Sequence, residues 1–95
     1  MSGGEVPKRI YNMIFKRPVS ESSEDCAAFR EYIRNEITGS RELLNYEEIP
    51  DKSNCTLKIR MRSYSYGKKG PNALRNDLYL AFPDAQIKEL SRERS

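Results

Sequence analysis

Residues Asn54 to Tyr66 read Asn-Cys-Thr-Leu-Lys-Ile-Arg-Met-Arg-Ser-Tyr-Ser-Tyr, and apolar side chains alternate with polar ones. Successive side chains of an extended strand point to opposite faces, so this pattern predicts a β-strand with two different faces. One face carries Cys55, Leu57, Ile59 and Met61. The other carries Thr56, Lys58, Arg60, Arg62, Tyr64 and Tyr66. The first face requires a core, and the second combines cations with phenol rings.

A second alternating segment follows this strand. Residues Asp77 to Phe82 would place Leu78, Leu80 and Phe82 on one face and Tyr79 on the other. Glycine and proline between positions 67 and 71 break the chain between the two segments. The pattern therefore predicts an antiparallel hairpin with a long basic loop over residues 67–75.

The first half of the chain predicts one strand and one helix. Lys8 to Arg17 lies between two prolines and is rich in Ile, Tyr and Phe, which favours a strand. Ser22 or Ser23 is a suitable cap for a helix that continues to Gly39. Its apolar stripe recurs every three or four residues, at Cys26, Phe29, Ile33 and Ile37.

Two segments give weaker patterns. Residues 40–51 favour a short helical turn followed by a loop, with a short strand as the alternative. Residues 84–93 favour a terminal helix that turns Ile87 and Leu90 inward, because these two are three positions apart.

Together these elements predict an α+β two-layer sandwich: a mostly antiparallel sheet of about three strands, with two or three helices on one face. The 95 residues suit a single domain over residues 8–92, with a flexible start at 1–7 and a frayed end at 93–95. The open face of the sheet would then display the cations and tyrosines of the hairpin. Tyr11 and Phe15 could join them there, although the core is the favoured place for Tyr11, Met13 and Phe15.

Several classes of chemistry are not favoured. The chain has no histidine and two cysteines, Cys26 and Cys55, which we expect to be buried free thiols, with a disulfide bond between them as the alternative. The carboxylates of residues 42–51 are interpreted as a solvated acidic surface rather than a metal site. The chain also lacks a phosphate-binding loop and the RNA-recognition-motif signature. We therefore expect no cofactor, no metal and no enzymatic activity.

Charge is distributed unevenly along the chain. The net charge is +3, made of +3 over residues 1–18, −6 over residues 19–51 and +6 over residues 52–95. We expect a molecule that is electrostatically two-sided. The chain has no long apolar run and no signal-peptide pattern at its start, so we expect an intracellular protein, in the cytoplasm or nucleus, that does not enter a membrane.

A sheet face that combines cations with aromatic rings is typical of nucleic-acid binding, with RNA favoured, because phosphates pair with cations and unstacked bases lie on rings. Lys, Arg, Thr and Tyr are also ordinary residues on the outer face of an exposed strand that binds nothing, which is the alternative for this strand. The candidate binding residues are Lys58, Arg60, Arg62, Tyr64, Tyr66, Lys68, Lys69, Arg75 and Tyr79. The alternative is a protein-interaction or assembly subunit that binds an acidic partner, as part of a homo- or hetero-oligomer.

Overall fold

The computed structural model describes residues 8–37, 41–64 and 71–93. The expected flexible start at residues 1–7 lies outside this part of the chain. Within the described ranges six elements follow one another in the order strand, helix, strand, strand, helix, strand. Their bounds are Lys8–Arg17 (β1), Glu24–Glu36 (α1), Arg41–Ile49 (β2), Cys55–Tyr64 (β3), Pro71–Ala81 (α2) and Gln86–Arg92 (β4).

The four strands form one sheet in the spatial order β2-β3-β1-β4, and every neighbouring pair is antiparallel. The predicted α+β class with a small antiparallel sheet is confirmed, with four strands instead of about three and with two helices. This element order and strand order define the ferredoxin-like, split βαβ arrangement. Each helix connects two parallel strands that have a third strand between them, so the ends of the sheet gather residues distant in sequence.

The alternation in β3 is confirmed. Cys55, Leu57, Ile59 and Met61 are fully buried. They meet residues of β1 and both helices, and the other members of the core are Met13, Phe15, Cys26, Phe29, Ile33, Ile37, Leu74, Leu78 and Ala85. The favoured placement of Tyr11 and Phe15 in the core is confirmed, and the alternative, the open face, is wrong. Phe15 is fully buried, and Tyr11 packs against the core from the helix side.

Helix α1 begins as its sequence predicts. Ser23 caps it, because the Ser23 hydroxyl accepts a hydrogen bond of 3.1 Å from the backbone N–H of Cys26. The helix ends at Glu36, whose carbonyl accepts a 2.6 Å bond from Nη1 of the buried Arg41. Arg41 therefore fastens the end of α1 to the start of β2. The predicted end at Gly39 lies outside the described residues.

The predicted helical turn and loop at residues 40–51 is wrong, and the alternative of a strand is correct. Strand β2 pairs with β3, but its register shifts at Leu44. This β-bulge places Leu43 and Tyr46 opposite Met61 and Ile59, both of which face the core. Two residues three positions apart therefore share one face of a strand, which is the spacing that a helix shows.

The predicted terminal helix at residues 84–93 is wrong, because this segment contains strand β4. A β-bulge again explains the helical spacing. The pairing of β4 with β1 skips Lys88, so Ile87 lies opposite Phe15 and Leu90 lies opposite Met13. Both side chains turn toward the helices in spite of their spacing of three. Glu93, expected in the frayed end, donates its backbone N–H to the carbonyl of Ile10 at 2.8 Å.

The predicted strand at residues 77–82, and with it the hairpin and the loop over residues 67–75, is also wrong. Residues 71–81 form helix α2, and residues 67–70 lie outside the described residues. Pro71 occupies the first helical position, where proline is favoured. Leu74 and Leu78, one turn apart, are fully buried, whereas Leu80 is 84% exposed.

The expectation of two free thiols is wrong as well. Cys26 and Cys55 form a disulfide bond with their Cα atoms 5.4 Å apart. Both residues lie on the core face of their elements, as predicted, and α1 brings the two into contact. Disulfides persist in oxidising surroundings, so this bond does not favour the expected intracellular location. That location stays a prediction.

Candidate functional site

The open face of the sheet is the face that the two helices do not cover. Thr56, Lys58, Arg60 and Arg62 of β3 point to it, because they alternate with the buried residues of the same strand. Three of the predicted site residues therefore share this face. The neighbouring side chains decide whether the three are available to a ligand.

Carboxylates engage this row of cations from the flanking strand. Glu42 of β2 lies opposite Arg62, and its Oε2 is 2.8 Å from Arg62 Nη1. Glu47 of the same strand lies directly opposite Lys58. The described part of the open face therefore carries carboxylates beside its cations.

Arg60 is held most firmly. Its Nε and Nη2 donate bonds of 2.7 Å and 2.9 Å to the two carboxylate oxygens of Glu93. Asn12 Nδ2 donates a third bond of 2.8 Å to Glu93 Oε2. These bonds lower the pKa of Glu93 from 4.5 to about 2, first through Arg60 and then through Asn12, because each stabilises the charged carboxylate.

Of the three predicted tyrosines, the structure shows that Tyr79 does not lie on this face. Tyr79 lies on α2, on the other side of the sheet, and is 40% exposed. Arg75 also lies on α2 and is half-buried. The side chain of Tyr64, together with Tyr66, Lys68 and Lys69, lies outside the described residues. Among the side chains that the structure describes on the open face, none is aromatic. The predicted stacking by Tyr64 and Tyr66 stays a prediction.

A second group of cations gathers at one end of the sheet, which we call the basic end. It comprises residues 8–12 of β1, 41–45 of β2, 60–64 of β3 and 91–93 of β4, which the strand register places side by side. Its described side chains include five arginines and two carboxylates: Arg9, Arg41, Arg60, Arg62, Arg92, Glu42 and Glu93.

Three arginines at or near the basic end have no ion pair among the described residues. Arg9 and Arg92 are exposed, and they share the helix-side face of the sheet. Arg92 lies directly opposite Tyr11, and Arg9 is diagonal to it, at a distance of about 7–8 Å for such positions. Arg75 belongs to the second turn of α2, and Asp77 of the same helix interacts electrostatically with Arg41 of the basic end.

Arg9 and Arg92 are not among the site residues that the sequence predicts. The pair Lys8-Arg9 can be recognised in the sequence. Its role depends on Arg92, which lies on the neighbouring strand β4. Because residues 84–93 favour a helix in sequence, Arg92 gives no indication that it lies beside β1.

Carboxylates outnumber cations at the opposite end of the molecule, where Lys16, Arg17 and Lys52 also lie. The turns and the helix start at this end carry the described carboxylates Glu21, Glu24, Asp25, Asp51 and Asp84. Glu47 and Glu48 of β2 and Glu89 of β4 lie in the adjacent half of the sheet. The charge division expected from the sequence therefore runs from one end of the sheet to the other, not from face to face.

A polar groove of about 420 Å³ lies between α1 and the edge strand β2. Arg30 lies at its base, where Nη1 is 3.3 Å from Oε1 of Glu48 and Nη2 donates a 3.3 Å bond to the carbonyl of Thr56. Arg34 covers the ring of Tyr46 at 4.3 Å from its centroid. Burial and the nearby Glu48 raise the pKa of Tyr46, so its hydroxyl stays protonated near neutral pH.

Metal binding and membrane insertion find no support in the part of the chain that the structure describes. No three His, Cys, Asp or Glu side chains among residues 8–37, 41–64 and 71–93 gather closely enough to hold a metal ion. Neither α1 nor α2, the two helices within those ranges, has the length and apolar character needed to cross a membrane.

Comparison with known proteins informs the fold only. No family model and no curated protein matches the chain. A de novo designed protein, Foldit4, superimposes with a TM-score of 0.56 at 10% identity over 94% of this chain and 99% of its own. A chain from the structure of an H/ACA RNP bound to a substrate RNA containing 2'-deoxyuridine has a TM-score of 0.50 and 17% identity. That match covers 95% of this chain but only 29% of the other.

Proposed function

We propose that this protein is a small, non-enzymatic nucleic-acid-binding module that holds backbone phosphates at the basic end of its sheet. One observation carries the proposal: Arg9 and Arg92 are exposed, lie on neighbouring strands and have no ion pair among the described residues. Unpaired arginines are suited to phosphate recognition, because the planar guanidinium donates two parallel hydrogen bonds. Arg75 supplies a third cation from α2.

The proposal moves the binding surface away from the one that the sequence predicts. Arg60 and Arg62 already have carboxylate partners at 2.7 Å and 2.8 Å, so a phosphate would have to displace Glu93 or Glu42. Arg9 and Arg92 require no displacement. The acidic far end repels a polyanion, so the charge division also orients the protein on its ligand.

A salt titration tests this function. Binding of fluorescein-labelled RNA and DNA oligonucleotides of mixed sequence is followed by anisotropy between 25 and 300 mM NaCl. Three phosphate contacts predict that log affinity falls with log salt with a slope of about −2 for a single strand. Binding that does not change with salt, or no binding at the lowest salt, contradicts the proposal. Comparing the RNA with the DNA of the same sequence tests the preference for RNA.

A protein-interaction module is the second candidate, and the groove between α1 and β2 favours it. Edge strands accept extended peptides as an additional strand, and the neighbouring groove then receives alternate side chains. Such a partner would meet Arg34, Tyr46 and Glu48, not the basic end. Substituting Arg34 or Tyr46 should then weaken partner binding and leave oligonucleotide binding unchanged.

A further inference from the structure

The centre of the open face contains a row of polar side chains that crosses the whole sheet. Arg60 of β3 lies opposite Asn45 of β2 on one side and Asn12 of β1 on the other, and Asn12 lies opposite Ser91 of β4. All four side chains can donate hydrogen bonds. None of the four is a carboxylate, although carboxylates occupy β2 and β4 positions in the adjoining rows.

The carboxylate at this row comes from Glu93, one residue beyond the end of β4. Its two oxygens accept three hydrogen bonds, two from the Arg60 fork and one from Asn12. This geometry is the one by which arginine binds a carboxylate or a phosphate ligand. The side chains of Arg60 and Glu93 are 44% and 33% exposed, so the position is open to solvent.

We infer that Arg60 and Asn12 form an oxyanion site at the centre of the open face, and that in the free protein the chain's own Glu93 carboxylate occupies it. The ligand is a phosphate oxyanion. The inference rests on the proposed function only in identifying that phosphate as the backbone of a nucleic acid. Glu93 then acts as an internal competitor that keeps the open face closed to weakly bound anions.

Displacing the Glu93 side chain does not require β4 to leave the sheet. The backbone N–H of Glu93 donates to the carbonyl of Ile10 at 2.8 Å, and this bond is independent of the carboxylate. The β4 strand also pairs with β1 from Gln86 to Arg92. The side chain can therefore rotate away while the strand remains in place.

The test compares Glu93→Gln with Glu89→Gln. Both substitutions remove one negative charge from the same strand, and residue 89 lies opposite Ile14 on the open face without touching Arg60. The Nε–H signal of Arg60 is followed by NMR during titration with inorganic phosphate at constant ionic strength. We expect it to move saturably in Glu93→Gln, at about tenfold lower phosphate than in the wild type or in Glu89→Gln, because the internal competitor is gone. Glu93→Ala should respond in the same way.

Two results overturn the inference: an Arg60 signal that does not respond to phosphate in either residue 93 variant, or an equal response in the variants of residues 93 and 89. Measuring oligonucleotide binding by the same variants separates this inference from the proposed function. If phosphate reaches Arg60 in Glu93→Gln but no variant binds RNA or DNA, the oxyanion site stands and the proposed function fails. If the wild type binds oligonucleotide and Arg60 never responds, the proposed function stands and this inference fails.

Discussion

Cys26 and Cys55 are joined by a disulfide bond, so the first turn of α1 is covalently linked to the first residue of β3. The bond closes a loop with a sequence separation of 29 residues. Closing a loop of this length lowers the entropy of the unfolded chain, and in the chain-entropy model it stabilises the fold by about 3–4 kcal/mol. We therefore expect Cys26→Ala with Cys55→Ala to lower the free energy of unfolding by about this amount, measured by urea denaturation.

The matching control is the wild type under reducing conditions, which should lose stability to a similar extent. An unchanged free energy of unfolding in the double variant would contradict the disulfide. Because small domains of this length are only marginally stable, the loss should also be visible as a lower melting temperature.

Leu78 and Leu80 provide a test of the helix α2. A strand would place both side chains on one face, whereas the helix buries Leu78 completely and leaves Leu80 84% exposed. We expect Leu78→Ala to cost about 2–5 kcal/mol of stability, the range for removing a large core side chain. Leu80→Ala should change stability by no more than about 0.5 kcal/mol. Equal losses of stability in the two variants, measured by the same denaturation, would contradict the helix and support a strand at these residues.

The Glu93 carboxylate predicts a dependence on pH. Its pKa is lowered in the folded protein to about 2, compared with an ordinary value of 4.5. A lowered folded-state pKa contributes stability that is fully present above pH 4.5 and is lost as the pH falls toward 2. The Cδ signal of Glu93 should therefore titrate near pH 2 by carbon-detected NMR.

Glu93→Gln lacks this contribution to stability. Its free energy of unfolding should therefore differ least from that of the wild type near pH 2, where the wild type has lost the contribution too. A Glu93 midpoint near 4.5 would show that the contact with Arg60 does not form in solution. The same experiment on Arg60→Ala provides the control, since the midpoint of Glu93 should then rise.

The sequence predicts the elements whose pattern is regular. Strand β3 alternates without interruption from Cys55 to Met61, and α1 has a cap at Ser23 and an apolar stripe of one period. Both follow from local stereochemistry, so both can be predicted without knowledge of their neighbours.

The irregular elements cannot be predicted in that way. The bulges at Leu44 and Lys88 bring residues three positions apart onto one face of a strand, and this spacing indicates a helix in any reading that uses periodicity alone. In α2, Leu78 and Leu80 alternate as in a strand, although only Leu78 is buried. These ambiguities are resolved by strand pairing, which is a property of the whole sheet.

The candidate site, too, can be predicted from the sequence only in part. The sequence identifies Lys58, Arg60 and Arg62 as exposed cations on one face, and the structure places them there. It does not reveal that Glu42 and Glu93 reach two of them, since Glu42 lies in one segment with a helical pattern and Glu93 lies at the end of another. Arg92 is missed for the same reason.

The most direct test of phosphate binding at the basic end compares two double variants in the oligonucleotide anisotropy assay. Arg9→Ala with Arg92→Ala removes two cations from the basic end, and Lys52→Ala with Lys88→Ala removes two exposed cations from the opposite half. The first pair should weaken binding and make the salt slope less steep by about 1.4, equivalent to two lost phosphate contacts on a single strand. The second pair has the same net charge and should bind nearly as the wild type does. Equal losses in the two double variants, or no loss in the first, would contradict a binding site at the basic end.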